Sequence, residues 1–401
     1  QVMFQCGITD PSNEEIEKKS IAQKNESKDS VWFTITDREG NIIGETGLLR
    51  MGNPYAVPEL YFDTFDTLNP KKNAAFSFCD AQYFLAYKDD ELVGRVAAII
   101  NHKANKIWGT NTVRFGWIDF INDLEVSKAL LDTVAEWGKE RGMDEIEGPF
   151  GFTDFDPEGM LTEGFDQLGT LVTIYNYAYY PEHMRKHGLE ESAKWIEMKL
   201  TVPDEVPEKH TRVAALVKQR YGLRTEHCKS VRELANKYGK QIFKLLNEAY
   251  ACLYGYSELS PEQIELYIDM YVPILDRRMI SMVVDSNDNL VAVGISMPSL
   301  SEALQKGHGL MLPFGWWYLL KALFIKRPKV LDLMMVAVKP ELQNKGINAL
   351  LMEELVPNYK AMGFEYGETN PELVTNTKVQ SMWEFYKPEI HKRRATFKKS
   401  I

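Results

Sequence analysis

Residues 330–369 constrain the fold more than any other part of this chain. They open on nine residues, VLDLMMVAV, with the length and composition of a buried strand. Lys339-Pro340-Glu341-Leu342-Gln343-Asn344-Lys345-Gly346 follows without a spacer, then a helical pattern from about Ile347 to Met362, closed by Gly363 as its C-cap. A second strand, 364–369, comes directly after. Strand, helix and strand in that order imply two parallel strands and a crossover, hence an α/β (α+β) fold.

The turn between strand and helix carries chemistry. A helix start leaves main-chain N–H groups without partners and holds about half a positive charge. Pointing those donors at a pyrophosphate satisfies both sides, and Gly346 lets the backbone come close. Lys345 adds a full charge nearby.

With 401 residues, the chain calls for two domains. The clearest break is 201–209, TVPDEVPEK, where prolines and acids interrupt a strand-like run at 195–200. After it come a short strand (222–227), helices at 231–254 and 261–276, and a hairpin of strands 279–284 and 290–297 around Asp285-Ser286-Asn287-Asp288-Asn289. Ser260-Pro261-Glu262 is a strong helix start. A helix at 376–386 and a strand at 391–398 end the chain.

The first half repeats the rhythm: a hairpin of 83–87 and 92–100 around Lys88-Asp89-Asp90-Glu91, a strand at 114–120, a helix at 125–141 and a strand at 144–147. We read a tandem duplication, with residues 1–52 of unclear fold, a first domain at 53–203 and a second at 204–401. Residues 205–401 carry 27 Lys and Arg against 22 Asp and Glu, and residues 1–204 carry 20 against 35. The basic half suits a multiply anionic ligand.

Val336-Ala337-Val338-Lys339-Pro340 with Gln343-Asn344-Lys345-Gly346-Ile347-Asn348 resembles the signature of the GNAT superfamily of N-acyltransferases: V-x-V-x-P, then [QR]-x-x-G-x-[GA] opening a helix. The match is at Val336, Val338, Pro340, Gln343 and Gly346; Asn348 departs from the usual Gly or Ala. The resemblance, running from about Asn53 to Ile401, implies two GNAT-like domains, each a mixed twisted sheet flanked by helices. It implies acetyl-CoA or another acyl-CoA as co-substrate, held at residues 336–338 and 343–348. The two strands of the unit would splay apart to expose backbone for the pantetheine arm. It further implies a following helix that begins near Asn376, in contact with the cofactor, and carries a Tyr, here Tyr386, to protonate the departing thiolate.

The implied reaction also needs a base. A primary amine of pKa near 10.4 is only about 1 part in 2,500 neutral at pH 7, a penalty of roughly 4.6 kcal/mol. A carboxylate relieves it directly or through water; Glu368 is the first choice, with Glu372 and Asp332 as alternatives. In the first half Asp123 and Glu125 sit where phosphate would bind and repel it, so that half is read as a copy that kept the fold and lost the cofactor.

Other features bound the function. Asp154-Phe155-Asp156-Pro157-Glu158-Gly159 starts like a calcium loop, but Phe165 stands where a bidentate Glu is needed, so no metal is expected. The loop 148–166 is instead a candidate to attract a cationic amine. Cys6, Cys79, Cys228 and Cys252 form no C-x-x-C pair. The apolar run 309–325, GLMLPFGWWYLLKALFI, is short for a membrane span and holds Lys321. Its aromatic residues fit packing against the other half or a second subunit, an acyl pocket, or a membrane surface. Gln1 to Ser30 lacks a signal-peptide core, and a cytoplasmic location is expected. The partner is an amine acceptor, small molecule or peptide; nucleic acid is not expected. Aminoacyl-tRNA-dependent transferases also pair GNAT folds, with Lys387, Lys392, Arg393, Arg394, Lys398 and Lys399 as phosphate contacts; a non-catalytic acyl-CoA binder is the third reading.

Overall fold

The computed structural model describes residues 53–89 and 91–401, and the backbone of three short strands before them. The remainder of 1–52, and Asp90 of the first hairpin, lie outside the described residues. In chain order the strands are β1 (Met3–Cys6), β2 (Val31–Thr36), β3 (Ile42–Leu48), β4 (Cys79–Lys88), β5 (Glu91–Asn101), β6 (Thr112–Phe120), β7 (Glu145–Gly148), β8 (Met160–Glu163), β9 (Glu190–Thr201), β10 (Arg224–Glu226), β11 (Ile280–Val284), β12 (Leu290–Pro298), β13 (Val330–Val338), β14 (Tyr366–Thr369), β15 (Glu372–Leu373) and β16 (Glu389–Ser400).

Two compact units share them. The first takes Gln1–Trp195, Ser301–Tyr318 and Lys392–Ile401; the second takes Ile196–Leu300 and Leu319–His391. Neither is contiguous, unlike the division into 53–203 and 204–401 that the sequence suggested. The prolines at 201–209 mark the end of β9, whose last residues already pair with β14 (Thr201 with Tyr366) inside the second unit. The final strand, expected to close the second domain, joins the first from Lys392 onward, because its alternating buried residues Ala395 and Phe397 register with β7 and β8.

In the first unit β4, β5 and β6 form an antiparallel meander, and β7 lies parallel to β6 after the helix Leu124–Lys139. In the second unit β11, β12 and β13 form the same meander, and β14 lies parallel to β13 after the helix Asn348–Ala361. Each is therefore a mixed sheet around one strand–helix–strand crossover, as the tandem reading requires. Each crossover helix buries one face on its own sheet. Val126, Leu130 and Val134 meet Phe115 and Phe120 in the first; Leu351, Leu355 and Tyr359 are buried in the second.

The two helix starts differ. Asp123 caps the first, its carboxylate accepting from Glu125 N–H at 2.8 Å and from Lys88 Nζ at 2.6 Å. The donors that would meet a phosphate are answered by the chain itself.

Candidate active site

The second unit's crossover opens where β13 outruns β14. The parallel pairing covers Val330 to Leu333 against Tyr366 to Thr369 and then stops, while β13 continues to Val338. At the same point Met334 is an extra residue in β13, since Ile295 of β12 pairs with Met335 and Ser296 with Leu333. A bulge bends its strand and raises the local twist, which separates β13 from β14. The splay implied by the resemblance is thus built from one residue.

Lys339 N–H donates to Val291 O at 2.9 Å, which fixes the alternation along β13. Ala337 faces β12, and Val336 and Val338 turn their main-chain groups to the vacated edge. Side chains answer the carbonyls there: Asn370 Nδ2 donates to Met334 O at 2.8 Å, Tyr250 Oη to Val336 O at 3.0 Å, and Gln343 Nε2 to Val338 O at 3.2 Å. The N–H groups of Val336 and Val338 point into the same gap. Gln343 therefore acts as a brace for the strand end, a role its place in the motif did not reveal.

Beyond Val338 the chain makes a short 3-10 turn, Pro340–Leu342, and winds through Asn344 and Gly346, both at positive φ (60° and 79°), into the helix. Among the described residues, the N–H groups of residues 344–347 donate to no main-chain carbonyl. Asn344 and Lys345 are exposed, Gly346 and Asn348 are half-buried, and Ile347 is buried in the core. Gly346 has a second cause besides close approach to a ligand: a Cβ there would lie 2.6 Å from Val213 Cγ1 on the helix Glu208–Tyr221. Lys345 Nζ lies 5.5 Å over the Tyr221 ring, and Lys378 Nζ reaches Gln343 Oε1 at 3.4 Å, so two cations border the turn. Lys378 was not singled out in the sequence. Asn376 is half-buried ahead of the short helix Thr377–Gln380, its side chain making no cap bond.

The acid and base candidates fall in three places. Glu368 is buried and accepts from or donates to His391 Nε2 at 2.6 Å, beside its register partner Asp332, which is buried rather than turned to solvent. Glu372 lies at the open edge: Trp383 Nε1 donates to its Oε1 at 2.7 Å, while its Oε2 is shielded and has no hydrogen-bond partner. Burial, offset in part by the Trp383 bond, pushes the Glu372 carboxyl up to about 7. Burial pushes Tyr250 up to about 12, with the Glu372 charge beside it adding to the rise. Tyr386 is elsewhere, packed with Trp383 and Tyr359, its hydroxyl 2.8 Å from His210 Nδ1; burial raises it well above the phenol range.

In the first unit the loop around Asp156 is tied inward. Its carboxylate accepts from Thr153 N–H at 2.9 Å, and burial lifts Asp156 to about 7 and Asp63 to about 6. The basic strand of the tRNA reading is engaged as well: Lys392 Nζ donates to Leu168 O, Arg394 to Ile174 O, Lys399 Nζ to His187 O, and Arg393 and Lys398 pair with Glu163 and Glu145. Among the described residues no three His, Cys, Asp or Glu side chains gather to hold a metal ion. No helix there is long and apolar enough to cross a membrane.

No known family profile matches the chain. It is 26% identical over 366 residues to Protein YghO of Escherichia coli (strain K12), covering 87% of this chain and 89% of that protein. It is 22% identical over 330 residues to the bacterial ceramide synthase of Caulobacter vibrioides, covering 81% and 84%. Among solved structures it superposes on a tandem GNAT protein from the clavulanic acid biosynthesis pathway with a TM-score of 0.50, at 11% identity, over 100% of this chain and 98% of that one. A GCN5-related glucosamine N-acetyltransferase region of a fungal multi-domain protein gives 0.51, at 12% identity, over 100% of this chain and 38% of that one. The repeated meander and crossover, the bulged strand and these superpositions agree: the chain has the tandem GNAT fold.

Proposed function

We propose that the second unit transfers an acyl group from an acyl-CoA to the primary amine of a long-chain acceptor. The single observation that carries this reading is the vacated edge of β13, where the N–H groups of Val336 and Val338 and the open amides of residues 344–347 follow one another along twelve residues of backbone, with a carboxylate oxygen of Glu372 that has no hydrogen-bond partner. The donor set fits the carrier: N–H groups of residues 344–347 with Lys345 and Lys378 would hold its diphosphate, and Val336 and Val338 would pair with its pantetheine arm. The thioester supplies the activated carbonyl. Glu372 Oε2 takes the proton as the amine nitrogen bonds to that carbon; the C–S bond breaks, and the thiolate is protonated from solvent. Tyr386 is given no part in this step, because its hydroxyl faces His210.

The similarity to a protein named as a ceramide synthase directs the choice of acceptor, since a ceramide is an amide of a long-chain amino alcohol. The test is thiol release and amide formation, followed by mass spectrometry, across acyl-CoAs of graded length and amines from short and polar to long-chain amino alcohols. Amide formed from a long acyl-CoA and a long-chain amine is the expected product. Transfer from aminoacyl-tRNA in place of acyl-CoA would overturn the reading, and so would coenzyme A binding without turnover on any amine.

A further inference from the structure

The segment 310–325 shows its apolar residues to solvent. Leu312 is 74% and Phe314 65% exposed, and Trp316, Trp317, Phe324 and Ile325 are exposed beside them in sequence. Among the described residues these side chains are left uncovered. The display is held firmly. Gln305 Nε2 donates to Pro54 O and Ala56 O, Tyr61 N–H donates to Gly309 O, and the loop closes so tightly that a Cβ on Gly315 would stand 1.6 Å from Leu310 O. Trp316 Nε1 donates to Pro313 O at 3.1 Å, so this indole does not depend on water for its partner.

Charge selects the occupant. From residue 303 to 331 the chain has no Asp or Glu and five basic residues, Lys306, Lys321, Lys326, Arg327 and Lys329, in a protein of formal net charge −10. Lys321 and Lys326 are exposed. A second copy of this chain docking symmetrically would set these cations against themselves. Lys306, Arg327 and Lys329 are paired with Glu302, Asp276 and Glu365, whereas Lys321 and Lys326 meet no carboxylate among the described residues. Exposed tryptophan and aliphatic side chains beside these two lysines match the boundary of an anionic bilayer, where indoles sit at headgroup depth and lysines meet phosphate. We infer that residues 310–325 dock the protein on the surface of an anionic phospholipid membrane, without spanning it.

The test is co-sedimentation of the full chain with phosphatidylcholine vesicles, with and without phosphatidylglycerol, at rising salt. The wild type is expected to pellet with the anionic vesicles and to be released by salt. Leu312→Ser with Phe314→Ser, and separately Lys321→Glu with Lys326→Glu, should each weaken that binding by roughly tenfold or more. These positions are exposed, so a thermal melt matching wild type is expected; the salt dependence of the unmutated protein is a second readout that needs no variant. Equal binding to neutral vesicles, variants that pellet like wild type, or a wild-type dimer dispersed by the same substitutions would overturn the inference. Binding is read without turnover, so its failure is separable from failure of the acyltransferase reading.

Discussion

Burial raises the Glu372 carboxyl, and the Trp383 bond to one of its oxygens offsets only part of that rise, the other oxygen having no hydrogen-bond partner. A base of pKa about 7 is half ionised near neutrality, so kcat/KM is expected to rise with pH through about 7 as the carboxylate forms. Glu372→Gln should lower kcat/KM by about 10²–10⁴-fold and erase that inflection, measured with saturating acyl-CoA. Stability moves the other way. Its folded pKa lies above the unfolded value near 4.5, so the folded state binds more protons and stability falls as pH rises from about 4.5 through about 7. The penalty above that window is on the order of 3 kcal/mol at most, so Glu372→Gln should raise the Tm at pH 8 and leave it unchanged at pH 4. A Tm unmoved at both would mean the carboxyl is not strained. A place near the end of the second strand of the crossover pointed first to Glu368; only packing showed that Glu368 has His391 for a partner and that Glu372 has an idle oxygen. His391 and Tyr250 carried no local signal, being an unremarkable strand residue and the last residue of a long helix.

Helix starts separate what is readable from what is not. Ser260 and Gln263 form a reciprocal capping box, Ser260 Oγ accepting from Gln263 N–H at 3.3 Å and Gln263 Oε1 from Ser260 N–H at 2.9 Å, and the sequence announces it. Ser260→Ala is expected to cost about 0.5–2 kcal/mol, seen as a lowered midpoint in urea; no change would mean the helix Pro261–Tyr271 frays without consequence. The helix Glu208–Tyr221 was not anticipated, although Val213, Ala214, Val217 and Tyr221 sit at helical spacing. It explains Gly346 by contact as well as by φ. Gly346→Ala should therefore destabilise the protein by about 1–3 kcal/mol even without ligand, checked by thermal melting of the free protein. Loss of acyl-CoA binding in any Gly346 variant must be compared with that melt, whereas Lys378→Ala probes the turn without disturbing the fold.

For the whole molecule, chain order and compact units disagree. Residues 392–401 supply the first unit with a strand whose Phe397 is fully buried and whose edges pair with β7 and β8. Deleting them should expose β7 and β8 to rapid amide exchange and lower the Tm sharply, while an unchanged exchange pattern would show that the strand is dispensable. From the sequence alone came two strand–helix–strand repeats, the hairpin around Asp285–Asn289, the turn at 343–348 and the acidic start of the first crossover helix at Asp123 and Glu125. All of these are local: they follow from side-chain periodicity, from φ preferences and from charges a few residues apart. The pairing of β16 with the first unit, the bulge at Met334 that parts β13 from β14, and the selection of Glu372 over its neighbours were decided by tertiary structure. Each depends on which distant groups supply or withhold a hydrogen bond, and a strand's own residues do not encode its neighbour.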